Sequence, residues 1–186
     1  MTLGSSNACP NVGAHSSMAT EQPEPSHSFR TNSECGERVP DDCRILWEWA
    51  IDPEVFGASF SSGPTPWEAQ VAWFSAKLSD PCAILYTATD VSDEPAGQVR
   101  FQQAGPRAAL SIGLAKGFRG RGLGRTLPLS ACERLFRESK VEAIDAYVKP
   151  DNEASIGLFS NSGFRRLGTE SVGNQPAIHF VFERSV

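Results

Sequence analysis

Between Ala108 and Leu135 the chain passes from a strand-like run into a turn with glycine at alternate positions. It then enters a helix carrying Leu123, Leu127, Ala131 and Leu135 at four-residue spacing. The turn reads Arg119-Gly120-Arg121-Gly122-Leu123-Gly124-Arg125. Glycine lets backbone N–H groups turn inward with no Cβ in the way, and the start of a helix adds positive potential. Such a bend cradles a diphosphate, and three arginines add positive charge around it. The nucleoside-triphosphate loop G-x-x-x-x-G-K-[ST] is absent. So is the dinucleotide pattern G-x-G-x-x-G, because Gly120, Gly122 and Gly124 space as G-x-G-x-G.

The rest of the chain predicts an α/β domain over 39–186. A short helix through Ile45, Leu46 and Trp49 is capped by Asp41 or Asp42 and stopped by Asp52-Pro53. Thr65-Pro66-Trp67-Glu68 opens another with a capping box, and Trp67, Val71, Phe74 and Leu78 mark its buried face. Strands follow over 82–89, 97–102 and 108–114, the last two joined by the hairpin turn Ala104-Gly105-Pro106-Arg107. A strand over 144–149, a helix over 152–162 ended by Gly163, and a closing pair over 164–167 and 177–183 complete the order. The tail, 1–38, has seven serines, three prolines and three glycines and no apolar period, so it reads as disordered.

Composition narrows the function classes. A net charge of −5 opposes nonspecific nucleic-acid binding. No apolar run approaches the roughly 18–20 residues that cross a bilayer, and Met1–Ser6 lacks the charged and apolar regions of a secretory signal. These point to a cytoplasmic chain with no membrane partner. Five cysteines, Cys9, Cys35, Cys43, Cys82 and Cys132, form no C-x-x-C pair, and of three histidines only His179 lies in the domain, so no metal site is expected.

Arg119 to Gly124, Arg-x-x-Gly-x-Gly as Arg119-Gly-Arg-Gly-Leu-Gly, resembles the acyl-CoA pyrophosphate signature of the GNAT acetyltransferase superfamily. Asn152-Glu-Ala-Ser155-Ile-Gly-Leu-Phe159-Ser-Asn-Ser-Gly163-Phe164 resembles that superfamily's Asn-x-x-Ala-x-x-x-Tyr-x-x-x-Gly-Phe segment. The likeness covers roughly 40–186. It implies a mixed, largely antiparallel sheet with helices on both faces and a splayed central strand pair, and acetyl-CoA as cosubstrate without a metal. By resemblance, the backbone of Ile112, Gly113 and Leu114 pairs with the pantetheine amides. The loop from Arg119 through Gly120, Arg121, Gly122, Leu123 and Gly124 to Arg125 holds the pyrophosphate. Asn152, Ser155 and Phe159 face the pantetheine arm, although Asn152 equally suits a plain helix cap.

Three positions depart from the pattern. Phe159 stands where many members carry a proton-donating tyrosine. Ala109 stands where relatives often place a glutamate base. Pro128 lies one turn into the helix after the cradle, where a kink or a wide first turn is expected. No catalytic group is therefore assigned; Gln98, Arg100, Ser111 and Ser155 are the candidates. Gln98 and Arg100 share a strand face, and Arg100 suits a phosphate or carboxylate on the acceptor.

The segments 46–54, 59–62 and 67–74 resemble a branch that includes aminosugar-nucleotide acetyltransferases of pseudaminic-acid synthesis and ribosomal-protein N-terminal acetyltransferases. The function implied is direct, ternary-complex acetyl transfer to a small primary amine, with an aminosugar nucleotide as first candidate, by a monomer or homodimer. The alternatives are protein N-terminal acetylation and a noncatalytic acyl-CoA-binding module.

Overall fold

In the computed structural model the described residues are 28–31, 39–60 and 63–185, with side chains from 42 onward. The chain order is β1 (Ser28–Thr31), α1 (Val39–Ala50), α2 (Pro53–Ala58), α3 (Trp67–Ser79), β2 (Ala83–Thr89), β3 (Pro95–Ala104), β4 (Arg107–Leu114), α4 (Leu123–Glu138), β5 (Ala143–Val148), α5 (Glu153–Asn161), β6 (Arg165–Val172) and β7 (Gln175–Glu183). A single 3-10 turn, Lys116–Phe118, follows β4.

One seven-stranded sheet runs in the order β1-β2-β3-β4-β5-β7-β6. Every pairing is antiparallel except β4 with β5. That parallel pairing covers only Arg107↔Ala143 to Leu110↔Ala146. β4 continues to Leu114 against β3 alone, and β5 continues to Val148 against β7 alone. The two central strands thus part after Leu110, as expected.

Alternation along the strands gives the sheet two different faces. Tyr86, Val99, Phe101, Leu110, Ile144, Ala146 and Phe180 join Leu127, Ala131 and Leu135 of α4 and Phe159 of α5 in the main core. On the other face Leu85 packs with Cys43 and Leu46 of α1 and Phe74 of α3, edged by Trp49, Trp67 and Trp73. The tryptophans are therefore anchors for the helices of this second face.

Several local expectations need correction. Ser28–Thr31, placed in the disordered tail, is an edge strand paired with β2; the remaining tail lies outside the described residues. Asp52-Pro53 does not only stop α1: the Asp52 side chain accepts from the Glu54 N–H at 2.9 Å and starts α2 with proline at its first turn. No side chain caps α3, whose N-cap is Pro66; the Thr65 carbonyl instead accepts from Trp47 Nε1 at 2.8 Å. Val71 and Leu78 are exposed, and α3 buries Gln70 and Phe74. The expected and observed faces share Phe74 and differ by one position, Gln70 in place of Val71, as α3 seats against β2. α4 runs continuously through Pro128, and Arg125 N–H bonds the Gly122 carbonyl three residues back at 3.1 Å. The first turn is tightened rather than widened.

Candidate active site

The site is the V between β4 and β5 together with the turn that leads into α4. From Ser111 to Leu114 the β5-facing edge of β4 has no strand against it among the described residues, so its backbone groups, apart from the Leu114 carbonyl that accepts from Arg119, are available to an extended ligand. Gly97 makes the opposite edge tight. It pairs with Leu114, and a Cβ built on it would lie 2.8 Å from the Gly113 oxygen.

Beyond the 3-10 turn, Gly120 (φ 72°) and Gly122 (φ 86°) take the left-handed conformation, and Gly122 is the N-cap of α4. These positive φ values are cheap only for glycine. The backbone N–H groups of Gly120, Arg121, Gly122, Leu123 and Gly124 find no acceptor among the described residues. Five unpartnered donors at the positive end of a sixteen-residue helix fit a diphosphate, and the open β4 edge fits the amide-bearing arm of coenzyme A.

The arginines divide. Arg121 and Arg125 are exposed, with the Arg121 guanidinium 5.6 Å from the Phe118 ring centroid. The Arg119 side chain, expected to add charge to the cradle, is committed elsewhere. It donates to the Leu114 carbonyl at 3.2 Å and pairs with Glu54 and Asp52. A guanidinium held by two carboxylates is a strut between the β4 arm and α2, not a free positive charge. The β5 arm is tied to the same helix by Lys149 Nζ, which donates to the Gly57 carbonyl at 3.0 Å. α2 therefore joins both arms of the V.

On α5, Asn152 caps its own helix, accepting from Ser155 N–H at 3.0 Å. Phe159 is corrected: it is 3% exposed, with Phe164 and Phe180 ring centroids 4.9 and 5.8 Å away. It belongs to the core beneath the site and presents no surface to a ligand. Ser162 lies 3.0 Å from the Arg125 carbonyl and 2.8 Å from that of Leu158, fastening α5 to the first turn of α4.

On the second face the expected meeting of polar strand faces occurs. Arg100 is opposite Ser111 and donates to its hydroxyl at 3.1 Å. Its guanidinium lies 5.2 Å from the Trp73 ring centroid. Gln98 is opposite Gly113, and the buried Gln98 Nε2 and Thr87 Oγ1 have no hydrogen-bond partner among the described residues.

A polar cluster that no sequence motif marks also lies on this face. Asp145 receives both the Arg107 guanidinium and His179 Nε2, the latter at 2.7 Å, while His179 Nδ1 meets Glu170 at 2.7 Å. Tyr147 stacks on His179 at 4.7 Å. Burial pushes the Asp145 carboxyl up, but the hydrogen bonds from Arg107 and His179 outweigh it and hold the carboxyl below its ordinary value. Both His179 nitrogens face carboxylates, so neither is left for a substrate. No local pattern marks this cluster, because its members come from β4, β5, β6 and β7. Among the described residues, no group of three His, Cys, Asp or Glu side chains is placed to hold a metal, and no helix is long and apolar enough to cross a membrane.

Residues 43–164 match the acetyltransferase (GNAT) family. The chain is 27% identical over 169 residues to a mycothiol acetyltransferase of Renibacterium salmoninarum, covering 82% of this chain and 46% of that protein. It thus spans less than half the length of that relative. It is 29% identical over 133 residues to L-2,4-diaminobutyric acid acetyltransferase of Streptomyces coelicolor, covering 69% of this chain and 72% of the other. Its fold is similar to that of spermidine N-acetyltransferase from Vibrio cholerae in complex with CoA and spermine. That likeness has a TM-score of 0.74 at 16% identity and covers 86% of this chain and 96% of that one. With the splayed strand pair, the glycine turn and the match over 43–164 agreeing, the chain belongs to the GNAT acetyltransferase family.

Proposed function

We propose that this protein moves the acetyl group of acetyl-CoA directly to a primary amine of a small molecule. The observation that carries the reading is the row of unpartnered amides from Gly120 to Gly124 beside the open edge of β4. These amides would hold the diphosphate, with Arg121 and Arg125 adding charge at the rim. The backbone of Ile112 to Leu114 would align the pantetheine arm along β4, and Ser155 lies one turn into α5 beside it. Acetyl-CoA supplies an activated acyl group whose leaving thiol has a pKa near 8.5 and departs tolerably unaided.

What the chain contributes is then placement. Holding amine and thioester together is worth more than acid–base help, which adds about 10²–10⁴-fold. The carboxylate closest to the parting of the strands in register, Asp145 opposite Ala109, is occupied by Arg107 and His179. Asp145 is thus not free as a base, and the amine's proton leaves through water. A lysine-like amine is neutral in only about one part in 2,500 at pH 7, so an amine made less basic by neighbouring oxygens suits the site better. This supports an aminosugar, including a nucleotide-linked one, ahead of a polyamine. Tyr147, stacked on His179, stays protonated at neutral pH because burial first, then Asp145 and Glu170, raise its pKa.

Thiol release from acetyl-CoA with UDP-aminosugars, aminoglycosides, polyamines and peptides tests the reading. Turnover with a low-pKa amine supports it, and preference for polyamines or peptides by orders of magnitude overturns the acceptor class. Phe159 and Ala109 favour a second reading, a binding module, which predicts tight CoA binding with no turnover on any amine.

A further inference from the structure

We propose that Arg100, with Ser111, Gln98 and Thr87, forms an oxyanion subsite of the acceptor pocket. The accepted amine then carries a carboxylate or phosphate a few bonds from its nitrogen; this deepens the acetyl-transfer reading and rests on it. Ser111 is the first residue of β4 after the strand leaves β5. The hydrogen bond from Arg100 to its hydroxyl therefore sets the guanidinium at the apex of the V.

That guanidinium is an unusual resident. Burial disfavours its charged form and lowers its pKa, yet no carboxylate pairs with it among the described residues. Its face rests on Trp73, which fixes the plane of the fork while leaving its other N–H groups unused. The neighbouring arginines at the site do find acids: Arg107 has Asp145, and Arg119 has Asp52 and Glu54.

Along β3 the polar residues of this face show a gradient. Gln102, farthest from the open end of the V, is bonded to Lys77 and Asp80. Arg100 has Ser111 alone as hydrogen-bond partner among the described residues. Gln98 and its cross-strand neighbour Thr87 leave an amide N–H₂ and a hydroxyl buried without partners among the described residues. Unsatisfied buried donors are costly and rare in folded proteins. A charged fork and two unused donors on adjacent rungs match one ligand chemistry, an oxyanion.

The test uses the full chain, acetyl-CoA and matched acceptors. For carboxylate the pair is 2,4-diaminobutyrate against 1,3-diaminopropane; for phosphate it is glucosamine 6-phosphate against glucosamine. The expected result is a kcat/KM ratio of about 10–100 in favour of the anionic member of at least one pair, the size of a charged hydrogen bond. The larger ratio says which oxyanion is read. Arg100→Gln should cut that ratio at least about tenfold, and Arg100→Lys, which keeps the charge without the fork, should fall between. Ratios near one for both pairs in the native protein overturn the inference, as does a ratio that Arg100→Gln leaves unchanged. If Arg100→Gln does not fold, the native ratios and Arg100→Lys still decide. Turnover of neutral amines at full rate removes the subsite alone. CoA binding by calorimetry with no turnover on any amine removes the transfer reading itself.

Discussion

Phe159 shows how one side chain takes a different part from the one its motif suggests. Enclosed by Phe164 and Phe180, its ring is 3% exposed and packs among aromatic rings. Phe159→Tyr should therefore lower stability by about 1–3 kcal/mol, the cost of an unpaired buried polar group, and leave turnover no faster. Thermal unfolding and steady-state rates on the same preparation check both halves; a faster enzyme would show that the ring reaches the thioester. Asp145 is the electrostatic counterpart. Its folded pKa is depressed, so its contribution is complete above the unfolded value of about 3.9 and is lost as pH falls through the folded value. Asp145→Asn should cost about 2 kcal/mol at pH 7, less than a fully buried pair because Arg107 is half exposed. Denaturation of both proteins between pH 7 and pH 3 should show that gap closing below about pH 4. A gap constant with pH would mean that the charge of Asp145 contributes nothing.

Among the elements, the β3–β4 ribbon sets the position of the V. Gly97→Ala would push its Cβ against the Gly113 carbonyl at 2.8 Å and the Leu114 side chain at 2.9 Å, so β4 must shift along the edge offered to the ligand. A stability loss of about 1–3 kcal/mol is expected, together with weaker CoA binding in calorimetry. Unchanged affinity in a destabilised variant would detach the β4 edge from cofactor binding. α2 was not legible as a helix, because Asp52-Pro53 signals a stop as readily as a start. Its role as the tie between Arg119 and Lys149 depends on residues 65 and 92 positions away in sequence.

For the whole molecule, a ligand that binds only the folded chain stabilises it by mass action. At about one hundred times its dissociation constant, CoA should add about 2.7 kcal/mol, or roughly 5–10 °C in Tm for a domain of this size. A melting curve that CoA does not move would contradict the cradle reading. The glycine turn, the order of elements from α3 onward and the four buried positions of α4 could be read from the sequence because each is local: spacing, turn chemistry and a 3.6-residue period act within a few residues. The meeting of Arg100 with Ser111 was also readable, since strand alternation and one tight hairpin fix that register. Tertiary structure alone decided which face α3 buries, that Arg119 pairs with α2, and that Asp145, His179 and Glu170 converge. Those outcomes depend on strands and helices brought together from far apart in the chain, where charges and packing compete at distances that no local pattern encodes.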